Sequence, residues 1–287
     1  MELLWLCLFA FVAGFVDAVV GGGGLIQLPA LFVFLPRELA ASVPLVFGTN
    51  KLSSLCGTSV AVWQYSRRVP IPWRSILPAT MAAFLFSVLG VRVLQSINSD
   101  FLKPLTLVLL IAVAIYTYWR KSFGHVHAPK FLADRERLLA VLVGTVIGFY
   151  DGFFGPGTGS FLIFIFIGLF GFNFLTASAS AKAINCATNL AAVLIFAWHG
   201  DVLYYYALPM GVCNVAGALL GTRLALLRGN RFVRVLFLGV VAVMIARFAY
   251  EQFVKEPESR GVDRKESVQK PTPSKTGRAR RSARVGH

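Results

Sequence analysis

The amino-acid sequence predicts an all-α polytopic membrane protein of about eight transmembrane helices. They form two repeated four-helix halves, with the first helix of each half broken at a Gly cluster. Three observations carry this prediction. Of 287 residues, 56% are hydrophobic and only 14% charged, where a soluble domain carries about a quarter. The charge-poor region from residue 3 to about residue 253 has room for around eight spans of the ~20 apolar residues that a bilayer requires, and the mean hydropathy is +0.69. Finally, the apolar body is written twice. Gly14-Phe15-Val16-Asp17 leads into Gly21-Gly22-Gly23-Gly24, and Gly148-Phe149-Tyr150-Asp151 leads into Gly155-Pro156-Gly157-Thr158-Gly159.

The hydrophobic blocks run over 3–34, 39–65, 75–94 and 102–119, then 138–170, 174–198, 202–226 and 232–253. The start, Met1-Glu2-Leu3-Leu4-Trp5, lacks the basic region of a secretory signal, so the first block reads as a retained helix. Both first blocks exceed one straight span, and their glycines (with Pro29 in the first) predict a break, either two half-helices or a re-entrant turn. Irregular backbone at that depth survives only where protein or a wet cavity satisfies its amides. If each first block crosses twice, the halves become inverted; if once, they are parallel. The second block of each half carries a polar stripe, Asn50, Ser53, Ser54 and Gly57 in the first and Ser178, Lys182, Asn185 and Asn189 in the second. Further landmarks keep register: Leu77-Pro78 with Leu208-Pro209, and Gly90-Val91-Arg92 with Gly221-Thr222-Arg223. Asn98 pairs with Asn230, and Phe101-Leu102-Lys103 with Phe232-Val233-Arg234.

The organisation expected is an N-terminal transmembrane repeat over 1–119, a basic linker over 120–137, a C-terminal repeat over 138–254 and a disordered basic tail over 255–287. The tail holds ten Lys/Arg against four Asp/Glu and no periodic apolar face. Four crossings per half place Arg67, Arg68 and Arg74, the linker and the tail on one side. Both termini are then expected in the cytoplasm, with Arg228, Arg231 and Arg234 as an exception on the far side. Trp and Tyr near span ends suit an aromatic belt, and Arg92 and Arg223 suit snorkelling at an interface. Cys7, Cys56, Cys186 and Cys213 lie in apolar segments without metal-ligand or disulfide spacing. No metal or cofactor is expected, and the four scattered histidines offer no nucleophile–base set, so the chain does not read as an enzyme.

Charge and flexible backbone inside a span are costly, and a duplicated defect reads as two halves of one binding site. Gly21, Gly22, Gly23 and Gly24, with Gly155, Gly157 and Gly159, let a ligand approach backbone amides, which attract anions at a helix start. Neither cluster is a Walker loop, because no Lys-Ser/Thr follows. Lys51 and Lys182 supply cations, each at about 3 kcal/mol even on gentle insertion scales. Thr49, Asn50, Asn185 and Asn189 would orient the ligand. Asp17 and Asp151 are either counter-ions of the lysines or proton carriers. Close helix packing by glycines and interhelical hydrogen bonding by the amides remain structural alternatives.

These residues resemble the TauE/SafE family, the sulfite-exporter-like or toluene sulfonate uptake permeases. The resemblance rests on Gly14-Phe15-Val16-Asp17 with its glycine run, Gly48-Thr49-Asn50-Lys51-Leu52, Ala181-Lys182-Ala183-Ile184-Asn185 and the segment from Gly148 to Gly159, and it covers roughly 5–250. It implies a duplicated four-helix unit in a bacterial plasma membrane that moves small sulfur-containing or organic anions. The expected function is therefore secondary transport of a small anion, with proton coupling open through Asp17 or Asp151. A non-transporting receptor or assembly factor acting through the tail, and a passive anion channel, are the rivals. Expected partners are the small anionic substrate, bilayer lipids and anionic headgroups at the tail, with no nucleic acid; a homo-oligomer is compatible with these features.

Overall fold

The glycine clusters turn the chain round. In the computed structural model, which describes residues 1–94 and 130–250, helix α1 (Glu2–Val20) ends at Gly21, whose φ of 79° is left-handed and costs glycine nothing. Helix α2 (Gly24–Phe34) then runs back along α1. Its last ring, Phe34, stacks on Trp5 at 6.0 Å and meets Phe9 at 5.6 Å, near where α1 began. Leu35 is extended before Pro36 and ends the helix. The second half repeats the hairpin. Helix α6 (Ala133–Phe153) turns at Phe154–Gly157, and α7 (Thr158–Ile165) returns and closes with a π-helical turn over Phe166–Phe170. There the Lys130 N–H donates to the Phe170 carbonyl at 3.1 Å, and the Phe131 and Phe170 rings meet edge-on at 6.2 Å. Each first block is thus a two-armed hairpin, the re-entrant alternative of the sequence reading.

Between the hairpins, a short helix α3 (Arg37–Ala40) precedes α4 (Val43–Ser66), which starts with Pro44 in its first turn. Helix α5 (Trp73–Leu94) follows after six residues. Beyond α7, Asn173 caps α8 (Phe174–Trp198) by accepting the Thr176 N–H at 2.8 Å. The last element, α9 (Tyr204–Tyr250), is broken at Gly229, whose φ is 72°. Every regular element among the described residues is helical. The block expected over 102–119, most of the 120–137 linker and the 255–287 tail lie outside the described residues.

By length and composition, α1, α5, α8 and Tyr204–Gly239 of α9 qualify as membrane spans, while α2 and Thr158–Phe170 are shorter apolar helices. Leu77, Met81, Leu85 and Leu89 form one exposed stripe on α5, and Leu138, Leu142 and Val146 form another on α6. Unbroken apolar stripes on the outside of a bundle are what lipid solvates.

The interior is joined by small residues. Gly144, Gly148 and Gly152 of α6 lie against the backbones of Ala79, Ala83 and Ser87 of α5, in rising order, so these two helices run parallel. Lipid offers no hydrophobic drive for helix association, so backbone proximity through small side chains supplies it. The related contact joins α1 to α9: Gly14 meets Asn214, Gly217 meets Phe11 and Gly221 meets Phe15. Each half thus packs its α5- or α9-type helix on the first helix of the other half. Helices α4 and α8 are antiparallel, with Gly48 near Phe196 and Ser59 near Cys186. The Tyr65 hydroxyl at the end of α4 donates to the Ala18 carbonyl near the end of α1 at 3.0 Å, so α1 and α4 point the same way. Helix α5 returns antiparallel to α4, and α6 follows α5. The two hairpins consequently enter from opposite ends of the bundle.

Candidate functional site

The two hairpin tips touch. Any side chain at Gly21 would overlap the Gly159 backbone, the Ser160 hydroxyl donates to the Val20 carbonyl at 2.9 Å, and Ser178 of α8 donates to the Val19 carbonyl at 3.0 Å. These bonds satisfy carbonyls that the end of α1 leaves free. Around this junction lies a cavity of about 40 Å³. Its wall includes Asp17, Gly21, Gly24 and Leu28 of the first hairpin, and Asn50, Lys51 and Ser54 of α4. Asp151, Phe154–Gly159, Asn185 and Asn189 complete it from the second half.

The ion pairs cross between halves. Lys182 Nζ lies 2.8 Å from Asp17 Oδ2, and Lys51 Nζ lies 2.8 Å from Asp151 Oδ2. Each aspartate thus sits on a hairpin and meets the lysine of the other half. The pairs are not equivalent. The Lys182 side chain is 0% exposed and does not line the cavity, while its Asp17 partner is 19% exposed and also accepts the Gly23 N–H at 3.3 Å. Lys51 reaches the cavity wall and adds a 3.1 Å bond to the Asp151 carbonyl. At Gly155 (φ 86°), a side chain would crowd Lys51 Nζ and the Asp151 carboxylate. A buried charge without a partner would be prohibitive, so the pairs are what allow four ionised groups at this depth.

The other residues singled out by the sequence divide. Gly21, Gly24, Gly155, Gly157, Gly159, Asn50, Asn185 and Asn189 line the cavity, and Gly22 and Gly23 do not. Several turn amides are already engaged: Gly21 N–H to the Asp17 carbonyl, Gly155 N–H to Tyr150, and Thr158 N–H to Gly155. Thr49 also stands apart. Its hydroxyl donates to the Leu45 carbonyl at 2.7 Å and accepts the Leu203 N–H at 3.1 Å, tying α4 to the start of α9. Asn189 donates to Thr58 at 3.4 Å, whereas the Oδ1 atoms of Asn50 and Asn185 are buried without a partner.

A polar pair outside the residues singled out by the sequence joins α9 to α2. Asn214 Nδ2 of α9 donates to Gln27 Oε1 of α2 at 2.9 Å, and both residues are buried. Asparagine stands at 214 where the repeat has Ala83, and Gln27 interrupts an apolar helix; polarity inside a span was the signal available.

Apolar helices wrapped round a small polar cavity are the architecture of a multi-pass membrane protein, and the family and relatives that the chain matches are membrane transporters. The profile of the Sulfite exporter TauE/SafE family matches residues 6–248, and the chain belongs to that family. It is 36% identical over 245 residues to a probable membrane transporter protein, ORF9, of a Sinorhizobium species, covering 85% of this chain and 90% of the relative. A probable membrane transporter protein of Haemophilus influenzae is 34% identical, with 84% and 92% covered. The probable membrane transporter protein YfcA of Escherichia coli K12 is 33% identical, with 86% and 89% covered. No solved structure matches the chain.

Proposed function

We propose that this chain is a secondary transporter that carries a small anion of the sulfite, sulfonate or related organic class across the bacterial plasma membrane. Its two halves, each a two-armed hairpin followed by three further apolar blocks, are related as inverted repeats. The observation that carries the reading is the cavity at the hairpin junction, where the Lys51 ammonium stands beside two buried amides, Asn50 and Asn185, each with an unpaired atom. Buried amides without partners are costly, and a side-chain amide can present either its donor or its acceptor end. An oxyanion between them would accept from Lys51 and the amide NH₂ groups, and the two Oδ1 atoms would take their donors from a protonated ligand oxygen or a water. The volume of about 40 Å³ corresponds to about three water-sized positions, which suits a compact oxyanion head group. The family's description, a sulfite exporter, supports the same class.

The substrate would be held by Lys51, Asn50, Asn185 and Asn189 against the glycine turns, with Lys182 securing the hairpin tip through Asp17. Relative movement of the two halves would open the cavity to either side in turn. The test is uptake into proteoliposomes from a panel of sulfite, sulfate, short sulfonates and carboxylates, with and without a pH gradient. Saturable uptake of at least one oxyanion is expected, and Lys51→Ala should abolish it. Full uptake by Lys51→Ala, or none of any anion by the wild type, would overturn the reading.

A further inference from the structure

The two ion pairs are chemically alike and structurally unequal, and the inequality says which carboxylate an arriving anion meets. Lys182 is fully enclosed, and Asp17 keeps a second donor in the Gly23 N–H. Lys51, in contrast, is the lysine at the cavity wall, and its carboxylate partner Asp151 shares that wall. The proposed anion therefore binds by taking the place that the Asp151 carboxylate holds on Lys51.

The displaced carboxylate then needs a new partner. The charged groups facing it are few. From α4 there is Lys51, now occupied by the ligand. From α1, Asp17 across the cavity is a like charge, and Lys182 of α8 is committed to Asp17. Helix α5 meets this turn of α6 through Ser87 and Gly90, and α7 brings Thr158 and Ser160, none of which titrates. An ionised carboxylate stranded among these groups in a closed site is too costly to persist, and a proton from the side on which the anion entered removes its charge.

We propose that Asp151 is the coupling group of the transporter, exchanging its ion pair with Lys51 for one proton each time an anion occupies Lys51. This rests on the anion-transport reading above. The balance is simple: Lys51 keeps its charge, the anion replaces the carboxylate beside it, and the proton ends on an Asp151 carboxyl oxygen. One anion and one proton enter together, and the net charge of the site is unchanged. Asp17 has no such role, because the lysine that holds it is out of the ligand's reach.

The probe that isolates this step is methanesulfonate, which stays ionised at every working pH and cannot carry the proton itself; sulfite is run beside it. In proteoliposomes, an inward-directed proton gradient should stimulate uptake by the wild type. In Asp151→Asn that stimulation should fall to none, with anion counterflow still detectable. Asp151→Glu should recover the response, and Asp17→Asn should keep the ratio of driven to undriven uptake, whatever its absolute rate. As a second measurement, wild-type protein in weakly buffered detergent should take up one proton per anion bound, read with a pH dye, and Asp151→Asn none. That assay applies even if a variant reconstitutes poorly. Gradient-driven methanesulfonate uptake by Asp151→Asn, or anion binding by the wild type without proton uptake, would overturn the assignment and leave anion transport standing. Stimulation confined to sulfite would mean that the substrate carries its own proton, which also overturns it. Absence of any anion binding or uptake by the wild type would instead remove the underlying reading.

Discussion

At the scale of single residues, the crossed ion pairs decide what can be changed. Lys182 is enclosed, so its removal leaves the Asp17 carboxyl with little more than one backbone N–H. Breaking a buried pair by deleting one partner costs about 3–5 kcal/mol, whereas replacing both partners with apolar groups of similar volume is often close to neutral. Lys182→Met should therefore lower the thermal unfolding midpoint in detergent sharply, and adding Asp17→Leu should restore most of the loss. A double variant no more stable than Lys182→Met would show that the pair is not what holds the hairpin tip to α8. Composition alone could not have drawn this distinction. Lys51 and Lys182 sit at similar places in their sequence blocks, and the pairing joins residues 165 positions apart in one case and 100 in the other. Helical spacing reports which side chains share a face, and says nothing of which distant carboxylate that face will meet.

At the scale of elements, the helix–helix contacts are built from small residues, and their tolerance is correspondingly low. A side chain at Gly148 would run into the Ala83 backbone, so Gly148→Leu must separate α5 from α6. Overpacking of this kind costs on the order of 3 kcal/mol, and the thermal midpoint should fall accordingly. Val146→Leu, two residues away on the exposed stripe, should leave it unchanged; equal effects from the two would place the α5–α6 contact elsewhere. Hydropathy made several of these elements legible. The block at 174–198 is α8 as observed, and the block at 75–94 is α5 within two residues. The 3–34 and 138–170 blocks were less transparent. An apolar run gives the length of chain in hydrocarbon without its direction, and glycines serve a break and a reversal equally well. The reversal is fixed by contacts such as Phe34 on Trp5, which lie beyond any local window. The cavity residues were legible in part for the same reason. Polar side chains within spans stood out, whereas Leu28, Phe154 and Pro156 join the wall only because the hairpin tips meet there.

At the scale of the whole molecule, the hairpins alter the bookkeeping of sides. Counting each first block as one crossing put both termini in the cytoplasm and stranded Arg228, Arg231 and Arg234 on the opposite side. Because each hairpin returns to the end it entered, the N-terminus of α1 lies at one end of the bundle and the C-terminal turn of α4 at the other. Arg67, Arg68 and Arg74 follow α4. Lys130, Arg135 and Arg137 are at that same end, since α6 runs parallel to α5 and starts where α5 starts. Arg228 and Arg231 join them, because α9 runs parallel to α1 and Asn230 accepts the Leu175 N–H at the start of α8. Near the opposite end, among the described residues, stand Arg37 and Arg92. Lys and Arg in short loops are retained on the cytoplasmic side, which predicts that the arginine-rich end is the cytoplasmic one and that the N-terminus of α1 faces out. In that orientation Arg228 and Arg231 are no longer exceptions. The check is a variant in which Cys7, Cys56, Cys186 and Cys213 are replaced by Ser or Ala and one cysteine is placed at Glu2, Arg68 or Arg137. In intact cells a membrane-impermeant maleimide should label position 2 readily, and positions 68 and 137 only after permeabilisation. Labelling in the reverse order would invert the molecule, returning the N-terminus to the cytoplasm and the arginine loops to the outside.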